Sequence, residues 1–110
     1  MLLRNREQVE PVTYSGDAKG VEMRALITDK DGAPHFAMRV FNLAPDGHTP
    51  HHTHAWEHEV YILGGTGTVL GNEGERPLRP GDAVFLAPNE THQFRAGAQG
   101  MQMICCVPNQ

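Results

Sequence analysis

The chain has 110 residues, which is long enough for one hydrophobic core and too short for two. Hydrophobic residues make up 39% of the sequence, and no apolar run approaches the roughly 20 residues that cross a bilayer. The net charge of −4 argues against the basic surface that nucleic-acid binding requires. We therefore expect a single domain over residues 1–110 that binds neither a membrane nor nucleic acid.

Turn-forming residues divide the sequence into short segments rich in β-branched and aromatic side chains. In chain order, these segments predict strands at residues 22–28, 35–44, 57–63, 66–70, 83–87, 92–95 and 101–107. The expected turns lie at residues 31–32, 45–47, 64–65, 71–74 and 79–82. No segment keeps the apolar spacing of an amphipathic helix, so the pattern predicts an all-β sandwich or barrel.

The cysteines and the N-terminal residues bear on location and assembly. Cys105 and Cys106 are adjacent, an arrangement that strains a disulfide, so we expect two reduced thiols. The first residues have no apolar stretch of the kind found in signal peptides, which makes the cytoplasm the expected location. Residues 1–10 carry little pattern and are expected to form a loose arm or a strand exchanged with a neighbouring subunit.

Histidines are the strongest functional signal, because four of the seven lie between residues 48 and 54. His52 and His54 are two residues apart, so on a strand both side chains face the same side. His58 keeps that parity four residues later. His92 follows the turn at 88–91, which would bring it to the same site from a distant part of the sequence. This constellation predicts one divalent metal ion per chain. Imidazole binds Mn, Fe, Co, Ni, Cu and Zn, so the ligands alone do not identify the metal.

The other three histidines fit a simpler interpretation. A single histidine on a strand is more often exposed or hydrogen-bonded than a metal ligand. His51 has the wrong parity, His48 lies in a turn, and His35 opens a different strand. We expect these three to face solvent.

Two segments resemble the signature motifs of the cupin superfamily, and the resemblance covers nearly the whole chain. The first runs from Gly47 through His52-Thr53-His54 and His58 to Gly65. The second runs from Gly81 through the turn at 88–91 to His92. Where the first motif usually carries an acidic ligand, this sequence has His58, and Glu57 and Glu59 are expected to face outward.

Within the superfamily, the chain is most similar to small single-domain cupins from thermophiles. The matching segments are residues 36–41, 54–59 and 88–95, together with Cys105. The resemblance implies a double-stranded β-helix, or jelly-roll barrel, that forms a homodimer. It also implies a manganese-type ion on four histidines and oxidative chemistry on a small organic substrate.

Strand parity predicts the wall of the metal pocket. Phe94 shares a face with His92, and Met38, Met103 and Cys105 are expected to join it, with Trp56 at the mouth. Arg39 alternates with Met38 and should face away, toward the second sheet or a dimer partner. Methionine and phenylalanine also fill ordinary barrel cores, so this wall need not be functional.

Three functions are compatible with such a site. The leading prediction is an oxidoreductase of dioxygenase type acting on a small organic molecule. The first alternative is an isomerase or lyase that uses the ion as a Lewis acid without redox chemistry. The second alternative is a small-molecule binding module without turnover. The sequence assigns no catalytic residue beyond the metal ligands.

Overall fold

The computed structural model describes residues 1–109, and seven strands form its framework. They are β1 (Val12–Thr13), β2 (Lys19–Ile27), β3 (Phe36–His48), β4 (His58–Gly71), β5 (Gly74–Leu78), β6 (Ala83–Leu86) and β7 (Gln93–Pro108). Two short 3-10 helices, Arg6–Gln8 and Asp29–Asp31, are the helical segments of the described residues. No helix in this part of the chain is both long and apolar enough to cross a membrane.

The strands pair in the order β1-β2-β3-β7-β4-β5, and β6 pairs with β4 on a branch of the same sheet. Every pairing between strands is antiparallel. The long strand β7 lies between β3 and β4, which brings the two histidine-bearing regions of the chain together. The predicted all-β jelly-roll barrel is therefore confirmed.

Two predicted turns lie inside strands rather than between them. The 64–65 pair shifts the register of β4 against β7 without ending the strand, so the segments predicted at 57–63 and 66–70 form one strand. Gly65 has a φ of +71°, and a Cβ there would collide with the carbonyl oxygen of Gly100. The turn at 45–47 likewise lies within β3, where Asp46 adopts a φ of 60°. Glycine and aspartate tolerate this left-handed conformation, which lets the strands bend and close the barrel.

The core is built from the inward-facing alternate positions of the strands. On β7 these are Met101, Met103, Cys105 and Val107, and all four are buried. They pack with side chains from β3 and β4, including Ile62, which is fully buried. Burying one such aliphatic side chain contributes about 1.5–3 kcal/mol, so this core holds the barrel wall rigid around the histidines.

The N-terminal segment packs against β2 of its own chain. The Arg4 Nη1 atom donates to the Leu26 carbonyl oxygen at 2.7 Å and lies 3.1 Å from an Asp31 carboxylate oxygen. The Arg24 Nε atom donates to the Val9 carbonyl oxygen at 3.1 Å. Exchange of residues 1–10 between two subunits stays a prediction.

Candidate metal centre

The four histidines expected to hold a metal come from three separate parts of the chain. His52 and His54 follow β3, His58 begins β4, and His92 immediately precedes β7. Two backbone hydrogen bonds join His52 and His92, with N···O distances of 3.1 and 2.9 Å. The Asn89 amide donates to the His54 carbonyl oxygen at 2.7 Å. Asn89 has a φ of 65°, a left-handed conformation that asparagine tolerates, and the predicted turn at 88–91 brings His92 to the cluster.

The imidazole rings converge at one end of the barrel. Ligand nitrogens of His52, His54 and His92 all lie within 4.8 Å of one another. The ring centroids of His52 and His92 are 4.9 Å apart, and those of His54 and His92 are 5.1 Å apart. Three nitrogens this close to one another could converge on one ion, which zinc holds at about 2.0–2.1 Å from each imidazole nitrogen.

Backbone carbonyl groups determine the tautomers of two of these rings. The His54 Nδ1 atom lies 3.1 Å from the Trp56 carbonyl oxygen, and the His92 Nδ1 atom lies 2.8 Å from the Glu90 carbonyl oxygen. A carbonyl oxygen only accepts hydrogen bonds, so each Nδ1 carries the proton and each Nε2 presents a lone pair. Metal-binding histidines usually make such a hydrogen bond through the ring nitrogen that does not bind the metal, so His54 and His92 are suited to hold a metal ion.

His58 lies beside this group of three. Its Nε2 atom is 2.6 Å from the His54 Nε2 atom, and its ring centroid is 5.3 Å from that of His92. At this distance His58 Nε2–H can donate a hydrogen bond to the lone pair of His54 Nε2. A cation bound by both nitrogens would take the place of that proton. Among the described residues, His52, His54 and His92 form the compact group able to hold an ion, and His58 lies beside it in contact with His54.

Burial favours the neutral form of His52, His58 and His92. Desolvation, together with the charges of the neighbouring histidines and Arg39, lowers the pKa of His58 to about 3. Desolvation is also the main reason that the pKa values of His52 and His92 are lowered. Only neutral imidazole has a free lone pair, so these shifts favour the form that binds a metal.

No carboxylate joins the cluster in the described part of the chain. Glu57 and Glu59 flank His58 and are both exposed, as the strand parity predicted. A divalent ion at the site would therefore keep its full positive charge, because the imidazoles contribute none that compensates it.

A cavity of about 130 Å³ opens onto the histidines. Four of the residues predicted for the pocket wall line it, namely Trp56, Phe94, Met103 and Cys105. Trp56 stacks on His54, with ring centroids 4.3 Å apart and planes inclined by 3°. The aromatic and sulfur-containing wall makes the cavity largely apolar around a polar base, as is usual for small-molecule sites.

The fifth predicted wall residue, Met38, lies elsewhere. Its side chain is 37% exposed, and in the register of β3 against β7 it is opposite Cys106. Arg39 lines the cavity in its place, and its Nη2 atom donates to the Cys105 Sγ atom at 3.2 Å. The expectation that Met38 faces inward and Arg39 outward is thus reversed. The orientation of these two side chains is decided by the pairing of β3 with β2 and β7, which strand alternation alone does not reveal.

Among the further lining residues that the sequence did not predict are two aromatic side chains. Tyr14 follows β1 and contacts Phe41 edge-to-face at 5.7 Å between ring centroids. Both line the cavity. Phe41 could have been found from its parity with Arg39, but Tyr14 lies in a segment whose pairing no local pattern predicts.

A larger groove of about 480 Å³ lies between β5 and β6. Its walls carry scattered charged residues, and none of them belongs to a group of metal-ligating side chains among the described residues. The histidine cavity is therefore the candidate site.

Comparison with known proteins agrees with this geometry. Residues 39–107 match the family model of the cupin domain. This chain belongs to the cupin family. The match spans both histidine regions, strands β4 to β6 in full and β7 as far as Val107.

Two curated relatives share parts of this cupin. A 1-methylthio-D-xylulose 5-phosphate methylsulfurylase from Rhodospirillum rubrum is 32% identical over 66% of the chain and 46% of its own length. An L-ectoine synthase from Mycolicibacterium gilvum is 30% identical over 86% of the chain and 62% of its own length. The chain thus spans less than two thirds of either relative.

A solved structure matches over the whole chain. The polyketide cyclase RemF from Streptomyces resistomycificus is 32% identical, and the alignment covers 100% of this chain and 80% of the cyclase. The TM-score is 0.92. This similarity extends over the barrel and both histidine-bearing segments.

Proposed function

We propose that this cupin is a metal-dependent enzyme that activates a small organic substrate without redox chemistry, in the manner of a cyclase, isomerase or lyase. The observation that carries the proposal is the convergence of four imidazoles, two of them oriented by backbone carbonyl groups, on one apolar cavity. The proposed protein ligands are His52, His54, His58 and His92.

The chemistry follows from the donor set. A divalent ion bound by neutral imidazoles supplies strong Lewis-acid activation of a carbonyl or enolate oxygen. The chain's own residues would orient the substrate, because Trp56 and Phe94 form flat apolar walls beside the histidines. They also exclude water from the reacting group, which strengthens electrostatic interactions inside the cavity.

Similarity to a polyketide cyclase supports the non-redox reaction. That protein is 32% identical, and the chain covers 80% of it, so the resemblance includes the cavity. Ring closure by condensation needs no oxidant. A carbonyl-rich polyketide or a smaller β-dicarbonyl compound is therefore the proposed substrate class.

A dioxygenase reaction, which the resemblance to thermophile cupins implies, is the second candidate. The same histidines would hold manganese or iron, and imidazole accepts these ions as well as cobalt, nickel, copper or zinc. We propose manganese as the resident ion on the strength of that resemblance. The two reactions differ in their need for O₂, and this difference decides between them.

The test combines metal analysis with an oxygen-controlled assay. Purified protein is analysed for bound metals, then loaded separately with manganese, iron and zinc. Each form is incubated with a panel of β-dicarbonyl and polyketide-like compounds, with and without O₂. Cyclised or isomerised product without O₂ supports the proposal. Product that requires stoichiometric O₂ supports the dioxygenase, and a ligand released unchanged indicates a binding module.

We also propose that the cupin is a cytoplasmic homodimer. Large apolar side chains on the outer surface, among them Phe36, Tyr61 and Phe85, are exposed in a single chain. A surface of this kind favours association with a second copy. The two free cysteines suit a reducing compartment. Sedimentation at micromolar concentration tests the dimer, and a monomer would contradict it.

A further inference from the structure

The guanidinium group of Arg39 lies at the histidine cavity with few partners. Its Nη2 atom donates to the Cys105 Sγ atom at 3.2 Å, and its Cζ atom lies 5.1 Å from the centroid of the Phe41 ring. Its Nε atom is buried and has no hydrogen-bond partner. No carboxylate of the described residues lies within ion-pair distance of Arg39.

These contacts compensate the positive charge poorly. A thiol is a weak hydrogen-bond acceptor, and an aromatic face attracts a cation less strongly than a carboxylate does. Charged groups withdrawn from water are normally paired, because an unpaired one loses its hydration without a replacement. Arg39 therefore has unsatisfied capacity for an anion on the wall of the cavity.

From this arrangement we infer that Arg39 determines specificity by binding a carboxylate or enolate group, so that the cavity selects small organic anions. The inference deepens the proposed function and rests on it. The neutral histidines add no negative charge to the site, so Arg39 and a bound ion present positive charge from two sides. An anionic substrate complements both.

The size of the cavity limits the group that enters. A cavity of about 150 Å³ is known to hold a benzene ring, and this one measures about 130 Å³ and is open at its mouth. The group that enters between Arg39 and the histidines is therefore no larger than one ring or a short acid. The rest of a larger substrate would extend through the mouth beside Trp56.

Benzoate and benzamide are suitable probes because they share a shape and differ in charge. Trp56 is the single tryptophan of the chain and lines the cavity, so its fluorescence reports binding. Both probes are titrated into zinc-loaded and metal-free protein. We expect benzoate to bind roughly tenfold more tightly than benzamide in both forms. A ratio of this size corresponds to the free energy of one hydrogen bond to a charged group.

Substitutions of Arg39 distinguish its contribution to anion binding from the contribution of the metal ion. Arg39→Gln is expected to remove the preference in the metal-free protein and to reduce it in the zinc-loaded protein, whereas Arg39→Lys should retain part of it. Arg95→Gln is the matched control, because Arg95 is exposed and does not line the cavity. If Arg39→Gln does not fold, Arg39→Met provides an uncharged variant with a similar stem.

Two results would overturn the inference. One is equal binding of benzoate and benzamide by the metal-free protein, as would occur if a partner subunit supplied a carboxylate to Arg39. The other is an undiminished preference in Arg39→Gln. The metal-free titration does not depend on turnover, so failure of the inference is distinguishable from failure of the proposed reaction.

Discussion

The Sγ atom of Cys105 lies 3.2 Å from the Nδ1 atom of His58. The same sulfur accepts a hydrogen bond from Arg39, so one buried thiol connects a proposed metal ligand with the cation on the cavity wall. When His58 binds an ion through Nε2, its Nδ1 carries the proton and donates to this sulfur. Cys105 thus orients the His58 ring in the way that carbonyl groups orient His54 and His92.

Replacing Cys105 with alanine removes the hydrogen-bond partner of His58 Nδ1. Loss of such a partner of a metal ligand is expected to weaken metal binding by about tenfold, at the lower end of the usual range. The measurement is competition for zinc against a chelator of known affinity. Cys106→Ala is the control, because Cys106 faces the other side of the strand and does not line the cavity. Equal affinities of the two variants would show that the thiol does not orient His58.

The two thiols should also differ in reactivity toward alkylating agents. Cys105 is 2% exposed, and burial raises its pKa, whereas Cys106 is half-buried. Alkylation requires an accessible thiolate, so iodoacetamide should label Cys106 well before Cys105 in the native metal-free protein. Peptide mass spectrometry with fragmentation distinguishes the neighbours. Faster labelling of Cys105 would mean that the strand faces the other way.

Peroxide should reverse that order when a redox-active metal is bound. Cys105 lines the metal cavity, so an oxidant activated there meets its sulfur first and carries it toward sulfenic or sulfinic acid. Manganese- or iron-loaded protein should therefore oxidise at Cys105 ahead of Cys106, and zinc-loaded protein should not. Equal oxidation of both thiols in the manganese form would contradict this prediction.

Single substitutions should separate four-histidine from three-histidine coordination. His92→Ala and His58→Ala are each expected to weaken metal binding by more than roughly 10–100-fold. That range is the loss expected when a residue that hydrogen-bonds to a metal ligand is removed. His51→Ala is the control, since His51 is exposed and adjacent to the cluster without belonging to it. Wild-type affinity in His58→Ala would reduce the ligand set to His52, His54 and His92.

The bend at Gly65 should be essential for stability. Gly65→Ala places a Cβ in the left-handed region and against the Gly100 backbone, so we expect a loss of roughly 2–4 kcal/mol in the free energy of unfolding. Gly64→Ala is the matched control, because a Cβ at that position meets no atom within 4 Å. Urea unfolding measures both. Similar stabilities would mean that the strand can shift its register locally.

The sequence by itself determined the fold class and the proximity of the histidines. Short β-rich segments between turn residues are a local property of the chain, and so is the close spacing of His52, His54 and His58. Strand parity does not describe this stretch, because residues 53–57 form a loop between β3 and β4. The turn containing Asn89 is partly local, since asparagine tolerates a positive φ, and the hydrogen bond from its amide to His54 adds a long-range contact.

Only the tertiary structure decided which residues surround the histidines. On β3 the apolar side chains of Phe36 and Met38 are exposed, whereas Arg39 and Phe41 line the cavity. Pairing of β3 with β2 and β7 decides this orientation, and the two exposed side chains suit contact with another subunit. The contact between Cys105 and His58 likewise joins residues 47 positions apart. Such relationships depend on long-range register, because a one-residue slip exchanges the two faces of a strand.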